Sequence, residues 1–331
     1  MLDRAAGGGT DAGTDVGRAV AAQPPKVNLG PANGTVVAFD VGGTAVKAAL
    51  IHPDGKMSPV RRIPTPVAGK ETPALLVDLI ERTIHDFSQE LAGSDRCAAA
   101  VVVPGIVDEE AGTGVLAHNL GWSNVPFRPI FEQRLQMPVY FGHDVRAAGL
   151  AEYRLGAASG YENAVIMALG TGIAAALFVD GRICVARGRA GEIGHLRVAA
   201  HTACACGATG CLEAISSAAA IVRRYNARSG TPVTGADEVV QRLKNGDRSA
   251  EAVWLEAVDA LAEAIVQISA LIGPEVMVLG GGLAESGPDL FHPLNDALSV
   301  LGATSSPLVL PASLGEDAGV IGAAIAGRRK L

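Results

Sequence analysis

Apolar and polar positions divide the chain into short apolar runs and longer amphipathic stretches, the pattern of an α/β protein. In "TVVAFDVGGTAVKAALI" (35–51), two apolar runs are separated by Gly-Gly-Thr. Short apolar runs bounded by glycine are typical of buried strands, so this stretch predicts a strand, a tight turn and a second strand. Residues 71–91 instead carry leucine and isoleucine at helical spacing, and Thr72-Pro73 indicates a helix start.

The rest of the first half continues this alternation. "AAAVVVPGIV" predicts a buried strand that ends at Pro104-Gly105, residues 126–135 predict a short helix, and "PVYFG" predicts the next strand. A helix is then predicted from Asp144, in "HDVRAAGLAEYRLG".

The pattern begins again at residue 163. "NAVIMALGTGIAAALFVDGRICVA" predicts three strands, with Gly170-Thr171-Gly172 at the first turn. The later predicted elements are helices after Leu212, after Asp237 and over 249–271, the strand "EVMVLGGGLA", a helix, the strand "LVL" and a final helix from Asp317. A strand–glycine turn–strand unit therefore starts each half, which predicts a duplicated architecture with two glycine hairpins facing each other.

The glycine turns have two interpretations. Each turn is only a hairpin, or its backbone N–H groups hold an anion such as a phosphate, because glycine lets the backbone approach a ligand closely. A single Gly-Gly-Thr turn would favour the plain hairpin. Two such hairpins, together with a third cluster at Gly280-Gly281-Gly282 after a late strand, favour phosphate binding.

Composition narrows the class of protein. A chain of 331 residues suggests two domains, and 49% apolar residues with only 4% aromatic ones predict a core of Ala, Val, Leu and Ile. The net charge of −7 offers no electrostatic basis for binding nucleic acid or anionic membranes. Without an apolar run of membrane-span or signal-peptide type, we expect a cytoplasmic protein with reduced cysteines.

The stretch "GEIGHLRVAAHTACACGATGCLE" (191–213) concentrates ligand-type side chains. His195, Cys204, Cys206 and Cys211 would supply one imidazole and three thiolates, a complete tetrahedral set for structural Zn²⁺. A disulfide and a metal-free thiol cluster are the alternatives. The first is disfavoured by a reducing compartment and by the close spacing of Cys204 and Cys206.

Seven motifs in combination make the chain resemble the ROK family of bacterial sugar kinases and related repressors, within the actin/hexokinase-like superfamily. They are "DVGGTAVK" at 40–47, "HNLGW" at 118–122, "HDVRAAGLAE" at 143–152, "LGTGI" at 169–173, "GEIGH" at 191–195, "CACGATGCLE" at 204–213 and "VLGGG" at 278–282. The resemblance implies two ribonuclease-H-like lobes with a cleft between them and ATP-dependent phosphorylation of a hexose hydroxyl. The repressor branch carries a DNA-binding module before this core, and the lack of a helix–turn–helix pattern before residue 35 favours the enzyme branch.

The resemblance also predicts how the chain is divided. Residues 1–34 are expected to form a flexible tail, and residues 35–143 a small α/β lobe with the first phosphate hairpin. Residues 144–316 are expected to form a large α/β lobe with the second hairpin and the zinc knuckle, the loop that carries His195, Cys204, Cys206 and Cys211. The C-terminal helix, about 317–331, is expected to pack back on the small lobe. We also expect a homodimer.

The resemblance assigns the nucleotide contacts. The glycine hairpins would hold the ATP phosphates from both lobes, and Asp40 would act on Mg²⁺ through water. The predicted contacts of ATP and its metal are Asp40, Gly42, Gly43, Thr44, Lys47, Gly170, Thr171, Gly172, Gly281 and Gly282.

Asp144 is the predicted general base, because it follows an apolar strand at a helix start and matches the catalytic position of the family. Its spacing alone is equally typical of a helix-capping or first-turn carboxylate. The resemblance predicts sugar contacts from Asn119, His143, Asp144, Glu192, His195 and Glu213. Instead of contacting the sugar, Glu213 could be a carboxylate at the start of a helix.

Two details bear on the sugar. His143 stands where the family usually has Asn, and an imidazole presents its donor and acceptor in another geometry, so the preferred sugar is left open; alternatively His143 only packs. Zinc would hold one ring nitrogen of His195 so that the other faces a sugar hydroxyl.

The leading hypothesis is an ATP:hexose kinase that acts on glucose. N-acetylmannosamine, N-acetylglucosamine, mannose and fructose are alternative acceptors, and polyphosphate is an alternative donor that no basic run favours. A sugar-sensing regulator and an actin-like assembly protein are the competing classes. The intact Asp40 and Asp144 oppose the first, and the zinc ligands have no role in the second.

Overall fold

The structure is a computed structural model that describes residues 29–91, 96–199, 201–301 and 307–331. Its strands are β1 (Thr35–Val41), β2 (Ala45–Ile51), β3 (Arg61–Pro64), β4 (Cys97–Val103), β5 (Ile106–Asp108), β6 (Thr113–Ala117), β7 (Trp122–Val125), β8 (Val139–His143), β9 (Ala164–Leu169), β10 (Ile173–Val179), β11 (Arg182–Ile183), β12 (Val276–Gly280) and β13 (Leu308–Pro311). Its α-helices are α1 (Thr72–Asp86), α2 (Ser88–Leu91), α3 (Phe127–Leu135), α4 (Asp144–Leu155), α5 (Glu213–Ser216), α6 (Ala218–Ser229), α7 (Ala236–Lys244), α8 (Arg248–Ile272), α9 (Pro288–Leu301) and α10 (Ala318–Gly327).

Two five-stranded sheets share one strand order. The first sheet has the order β3-β2-β1-β4-β8 and the second has β11-β10-β9-β12-β13. In each sheet, three consecutive strands form an antiparallel meander, and the first of them then pairs in parallel with a fourth strand, which pairs in parallel with a fifth. The predicted duplication and the α/β class are therefore confirmed, and we call the halves built on the two sheets the first and second lobe.

The apolar runs form strands because helices cover both faces of each sheet. In β4, every residue from Ala98 to Val103 is fully buried. Leu76 of α1 and Phe131 of α3 pack on one face of the first sheet, and Val320 of α10 packs on the other. Strands buried on both faces read as continuous apolar runs, which explains why the sequence revealed them.

Helices α4 and α10 cross between the two sheets. α10 packs on β1 and β4, whereas α4 packs on β9 and β10. At the crossing, a Cβ on Gly322 would overlap the carbonyl oxygen of Ala147. Glycine inside a helix destabilises it by about 1 kcal/mol relative to alanine. The close approach of α4 and α10 explains why glycine is nevertheless found at this position. The crossing brings the first residue of α4, Asp144, and the start of α10 to one edge of the first sheet.

The hydrophobic pattern does not predict β3 or the three-stranded sheet formed by β5, β6 and β7. These strands are short and only partly buried, and β7 buries only its first residue, Trp122. Runs of this length carry too little periodicity to detect. The small sheet matters because the turn between β6 and β7 carries Asn119.

Residues 1–28 of the predicted tail lie outside the described residues. Residues 29–34, also predicted as tail, instead contact the first lobe: the Leu29 N–H donates to the Gly55 carbonyl at 3.0 Å, and the Leu29 side chain packs on the cluster that contains Val320. Within the described ranges, no helix is both long and apolar enough to cross a membrane.

Candidate active site

Asp144 lies where β8 ends and α4 begins, at the carboxyl edge of the first sheet. Ligand-binding side chains gather at this edge in α/β sheets. The Asp144 side chain is 26% exposed. Burial raises the pKa of its carboxyl to about 6, although the N–H of Val145 and the charge of Arg146 act in the opposite direction. Such a carboxylate is ionised at neutral pH and still basic enough to accept a proton.

Asp40, near the end of β1, adds a second carboxylate to this edge. Burial and the negative charge of Asp144 raise the pKa of Asp40 to about 7, whereas the charge of Lys47, its cross-strand neighbour, lowers it. The Lys47 ammonium also donates to the carbonyl of Glu316. A Cβ on Gly319 would overlap the Asp40 carboxylate, so α10 begins directly against it. Two neighbouring carboxylates provide the hard oxygen ligands that Mg²⁺ prefers.

The first glycine hairpin joins β1 and β2. The hydroxyl of Thr65 donates to the carbonyl of Gly42 at 2.7 Å and holds the base of the turn. Gly43 and Thr44 are exposed at its tip. A Cβ on Gly43 would lie 3.5 Å from Nδ2 of Asn119, so this open tip borders a predicted sugar contact.

The second hairpin, Gly170-Thr171-Gly172, lies beside the third glycine cluster. Strands β9 and β12 are parallel neighbours, so both groups of glycines follow the carboxyl ends of adjacent strands. Gly281 has a φ of 84°, and a Cβ there would lie 2.6 Å from the carbonyl oxygen of Leu169. Thr171, Gly172 and Gly282 are exposed. The edge therefore presents two neighbouring turns with accessible backbone.

Glu192 lies among the other predicted sugar contacts of the second lobe. Burial raises the pKa of Glu192; the charges of His195 and Arg146 lower it, and the carboxylates of Glu213 and Asp144 raise it. Because the effect of a charge on a pKa falls off with distance, His195, Arg146, Glu213 and Asp144 lie near Glu192. The structure thus brings residues of the 191–213 stretch to the edge that carries Asp144.

His143, for which the sequence left open a sugar contact or a packing role, caps helix α4. Its ring is buried, and Nδ1 accepts the N–H of Arg146 at 3.3 Å, which makes His143 the N-cap of α4. The backbone of Gly105 is a second hydrogen-bond partner of the ring, and burial lowers its pKa to about 3, so the imidazole is neutral. Both polar functions of the ring are used inside the protein, and this arrangement favours the alternative that His143 packs rather than contacts a sugar.

The side chains of the four candidate zinc ligands lie close together. The ligand atoms of His195, Cys204, Cys206 and Cys211 all lie within 4.8 Å of one another. Nδ1 of His195 is 3.9 Å from the Cys204 sulfur, and the sulfurs of Cys206 and Cys211 are 3.7 Å apart. A tetrahedral site with zinc–sulfur bonds of about 2.3 Å has ligand atoms about 3.8 Å apart. The donor set therefore fits zinc, as the spacing predicted.

A sequence model of the ROK family matches residues 36–329. The chain belongs to the ROK family. A glucokinase from Thermotoga maritima is 31% identical over 315 residues, which cover 87% of this chain and 96% of that protein. A ROK hexokinase from Thermus thermophilus has a TM-score of 0.78 at 31% identity and covers 88% of this chain and 97% of its own. A ROK family glucokinase from Streptomyces griseus, solved in complex with glucose and AMPPNP, has a TM-score of 0.74 at 28% identity, with 89% and 100% covered.

A buried ion pair that the sequence analysis did not predict joins Arg146, which lies in the 143–152 motif, to Glu109. Nε of Arg146 donates to Oε1 of Glu109 at 2.6 Å, and the Arg146 side chain is only 3% exposed. The hydroxyl of Tyr140 donates to the other carboxylate oxygen at 3.2 Å. One signal in the sequence could have indicated this ion pair. Arg146 lies in the first turn of α4, a helix rich in small residues, and a cation that faces a packed interior needs a partner of opposite charge.

The raised pKa of Asp144 predicts a gain in stability when its charge is removed. A shift from 3.8 to about 6 means that the folded state favours the protonated carboxyl. Its stabilising contribution is present below about pH 4 and is lost as the pH rises towards about 6. We expect Asp144→Asn to raise the free energy of unfolding at pH 8 by up to about 3 kcal/mol, since one pKa unit is worth about 1.4 kcal/mol.

Denaturant unfolding at pH 8 and at pH 4 measures this effect, and the gain should shrink at the lower pH. Asp237→Asn is the matched control, because Asp237 is an exposed aspartate in the first turn of α7. It should lose a little stability through the helix dipole. If Asp144→Asn also loses stability at pH 8, Asp144 is a helix-stabilising carboxylate.

The knuckle geometry predicts one zinc ion per chain. Cys206→Ser should abolish metal binding and lower the thermal midpoint modestly, because the apolar cores of the two lobes do not depend on the loop. Cys184→Ser, outside the cluster, should retain zinc. Elemental analysis of protein purified without chelator tests both variants, and wild-type protein without zinc would refute the metal site.

Proposed function

We propose that the protein is an ATP-dependent hexose kinase, which transfers the γ-phosphoryl group to a sugar hydroxyl and prefers glucose. The observation that carries this proposal is the position of Asp144, a carboxylate with a pKa near 6 at the sheet edge that Asp40 and the first glycine hairpin share. The glucokinase from Thermotoga maritima and the glucose and AMPPNP complex of the Streptomyces griseus enzyme support the choice of substrates.

Asp144 would act as the general base. Its carboxylate would accept the proton of the attacking sugar hydroxyl as the sugar oxygen bonds to the γ-phosphorus and the bond from the γ-phosphorus to the β–γ bridging oxygen breaks, releasing ADP. Positioning and electrostatic stabilisation account for most catalysis in phosphoryl transfer. Asn119, Glu192, His195 and Glu213 would orient the sugar through hydrogen bonds to its hydroxyls.

The glycine groups would bind the nucleotide phosphates through backbone N–H groups, with Thr44 and Thr171 adding hydroxyls. Gly281 and Gly282 would let the nucleotide lie against the backbone. Lys47 would add positive charge beside Asp40. A magnesium ion bound near Asp40 would neutralise charge on the phosphates, and Asp40, with Asp144 nearby, has the oxygen donors to hold it.

Zinc at His195, Cys204, Cys206 and Cys211 would have a structural role, because four protein ligands complete its tetrahedral shell. Nδ1 is the ring atom of His195 that lies near the Cys204 sulfur. Metal binding at Nδ1 would orient the ring so that Nε2 can form a hydrogen bond with a sugar hydroxyl.

An ADP-release assay with a panel of sugars tests the function. We expect glucose to be preferred over mannose, fructose, N-acetylglucosamine and N-acetylmannosamine, and ATP to be preferred over polyphosphate. Asp144→Asn should lower kcat about 10²–10⁴-fold, as is usual for loss of a positioned base. Wild-type kcat should fall below about pH 6, where Asp144 becomes protonated.

Several outcomes would revise the proposal. Turnover of another sugar would change only the acceptor. Sugar binding without ADP release would indicate a regulator. ATP hydrolysis without any sugar effect would favour an assembly protein. Near-normal turnover in Asp144→Asn would remove the assigned base.

We also infer a homodimer formed through α8 and α9. Leu255, Val300 and Leu301 are 43%, 85% and 44% exposed, and they border a groove of about 930 Å³. Exposed large apolar side chains grouped at one groove are a feature of protein interfaces, and charged side chains such as Arg228 and Glu256 line the same groove. Light scattering should give a dimer for the wild type and a monomer for the double variant Leu255→Glu, Val300→Glu. Val67→Glu, at an exposed site on the first lobe, is the control, and a dimeric double variant would contradict this interface.

A further inference from the structure

The carboxylate of Glu213 is bound to the second glycine hairpin. Its Oε2 accepts the N–H of Ile173, the residue after Gly172, at 2.8 Å. A Cβ on Gly172 would lie 2.6 Å from the same oxygen. The carboxylate therefore occupies the space that a side chain at position 172 would need, and it holds one arm of the hairpin by a charge-assisted hydrogen bond.

The chain that follows Glu213 holds the other arm. The N–H of Ala218, the first residue of α6, donates to the carbonyl of Gly170 at 2.9 Å. The segment 213–218 thus contacts Gly170 on one side of the turn and Ile173 on the other. Its position determines the position of the hairpin tip, because the tip residues lie between these two anchors.

Both ends of the zinc knuckle reach this segment. Gly194 precedes His195, and a Cβ there would lie 3.2 Å from Cβ of Glu213 and would overlap the carbonyl of Ile173. On the other side, Leu212 follows Cys211, is fully buried, and donates its N–H to the carbonyl of Leu196 at 2.9 Å. One residue therefore separates the candidate metal ligands from Glu213 on either side: Gly194 beside His195 and Leu212 beside Cys211.

We propose that Glu213 is a positioning residue for the Gly170-Thr171-Gly172 hairpin and that, through it, the zinc knuckle controls nucleotide affinity in addition to the sugar pocket. This inference rests on the function proposed above. A carboxylate that served only the sugar would not need to lie on the backbone of the phosphate hairpin.

Calorimetry of separate AMPPNP and glucose binding tests the proposal. Glu213→Ala should weaken AMPPNP about tenfold, the scale of one lost charge-assisted hydrogen bond that orders a binding loop. Glu213→Gln keeps an acceptor oxygen for the Ile173 N–H and should stay within about threefold of the wild type for AMPPNP. Glu192→Ala is the matched control, since it removes another carboxylate of this stretch and should weaken glucose while leaving AMPPNP unchanged.

Unchanged AMPPNP affinity in Glu213→Ala would overturn the proposal. If the wild type binds neither AMPPNP nor any sugar, the proposed function itself fails, so the two failures are distinguishable. Circular dichroism checks that the variants are folded.

A second measurement uses the wild type and does not depend on the folding of Glu213→Ala. Removing zinc with a chelator, checked by metal analysis, should weaken AMPPNP binding about tenfold. In folded Glu213→Ala, the same treatment should add little, because coupled changes are not additive. Zinc-free wild type with full AMPPNP affinity would overturn the coupling.

Discussion

Two carboxylates at one partly buried sheet edge are the constraint around which the site is arranged. Asp40 and Asp144 cannot both ionise there without desolvation and mutual repulsion, and the pKa of each is raised. The positive charge of Lys47 lowers the pKa of Asp40, and the positive charge of Arg146 lowers the pKa of Asp144. Asp144, with a pKa of about 6, is therefore largely ionised at neutral pH and still basic enough to accept a proton, whereas Asp40, with a pKa of about 7, lies between its charged and neutral forms. That condition suits proton transfer and cation binding, so the unfavourable electrostatics are the source of the chemistry proposed for this edge.

The same electrostatics tie the two lobes together. Besides Glu109, the buried Arg146 guanidinium donates to the carbonyl of Val107 in the first lobe at 3.4 Å and to that of Gly188 in the second lobe at 3.5 Å. Relative motion of the lobes would change these contacts and, with them, the charge environment of Asp144. The close crossing of α4 and α10 limits that motion, since packed helices can slide only slightly. The relative position of the lobes and the pKa of Asp144 are therefore linked through the side chain of Arg146.

How far the sequence predicts the molecule depends on how local each feature is. The glycine hairpins, the start of α4 and the four candidate zinc ligands each lie within a short stretch. The structure forms both hairpins, begins α4 at Asp144 and brings the four candidate ligands together. The contacts that set the electrostatics join distant residues: Arg146 meets Glu109 across 37 positions, and Glu213 meets Ile173 across 40. No periodicity links such pairs. Their partners follow from the folding of β5 beside α4 and from the path of the knuckle, which local patterns do not encode.

His143 shows that a residue at a motif position can have a structural role in the helix that follows it. An N-cap must accept an N–H from the first helical turn, and a neutral imidazole does so for Arg146. A protonated ring would lose that acceptor and repel the guanidinium, which is why its low pKa matters. Sugar choice would then fall to Asn119 in the first lobe and to Glu192 and His195 in the second. A sugar held by groups from both lobes would lie beside a region that Arg146 also bridges, since its guanidinium contacts carbonyls of both lobes. A small change in lobe position on sugar binding would therefore reach the charge environment of Asp144, and acceptor selection would be linked to the pKa of that carboxyl.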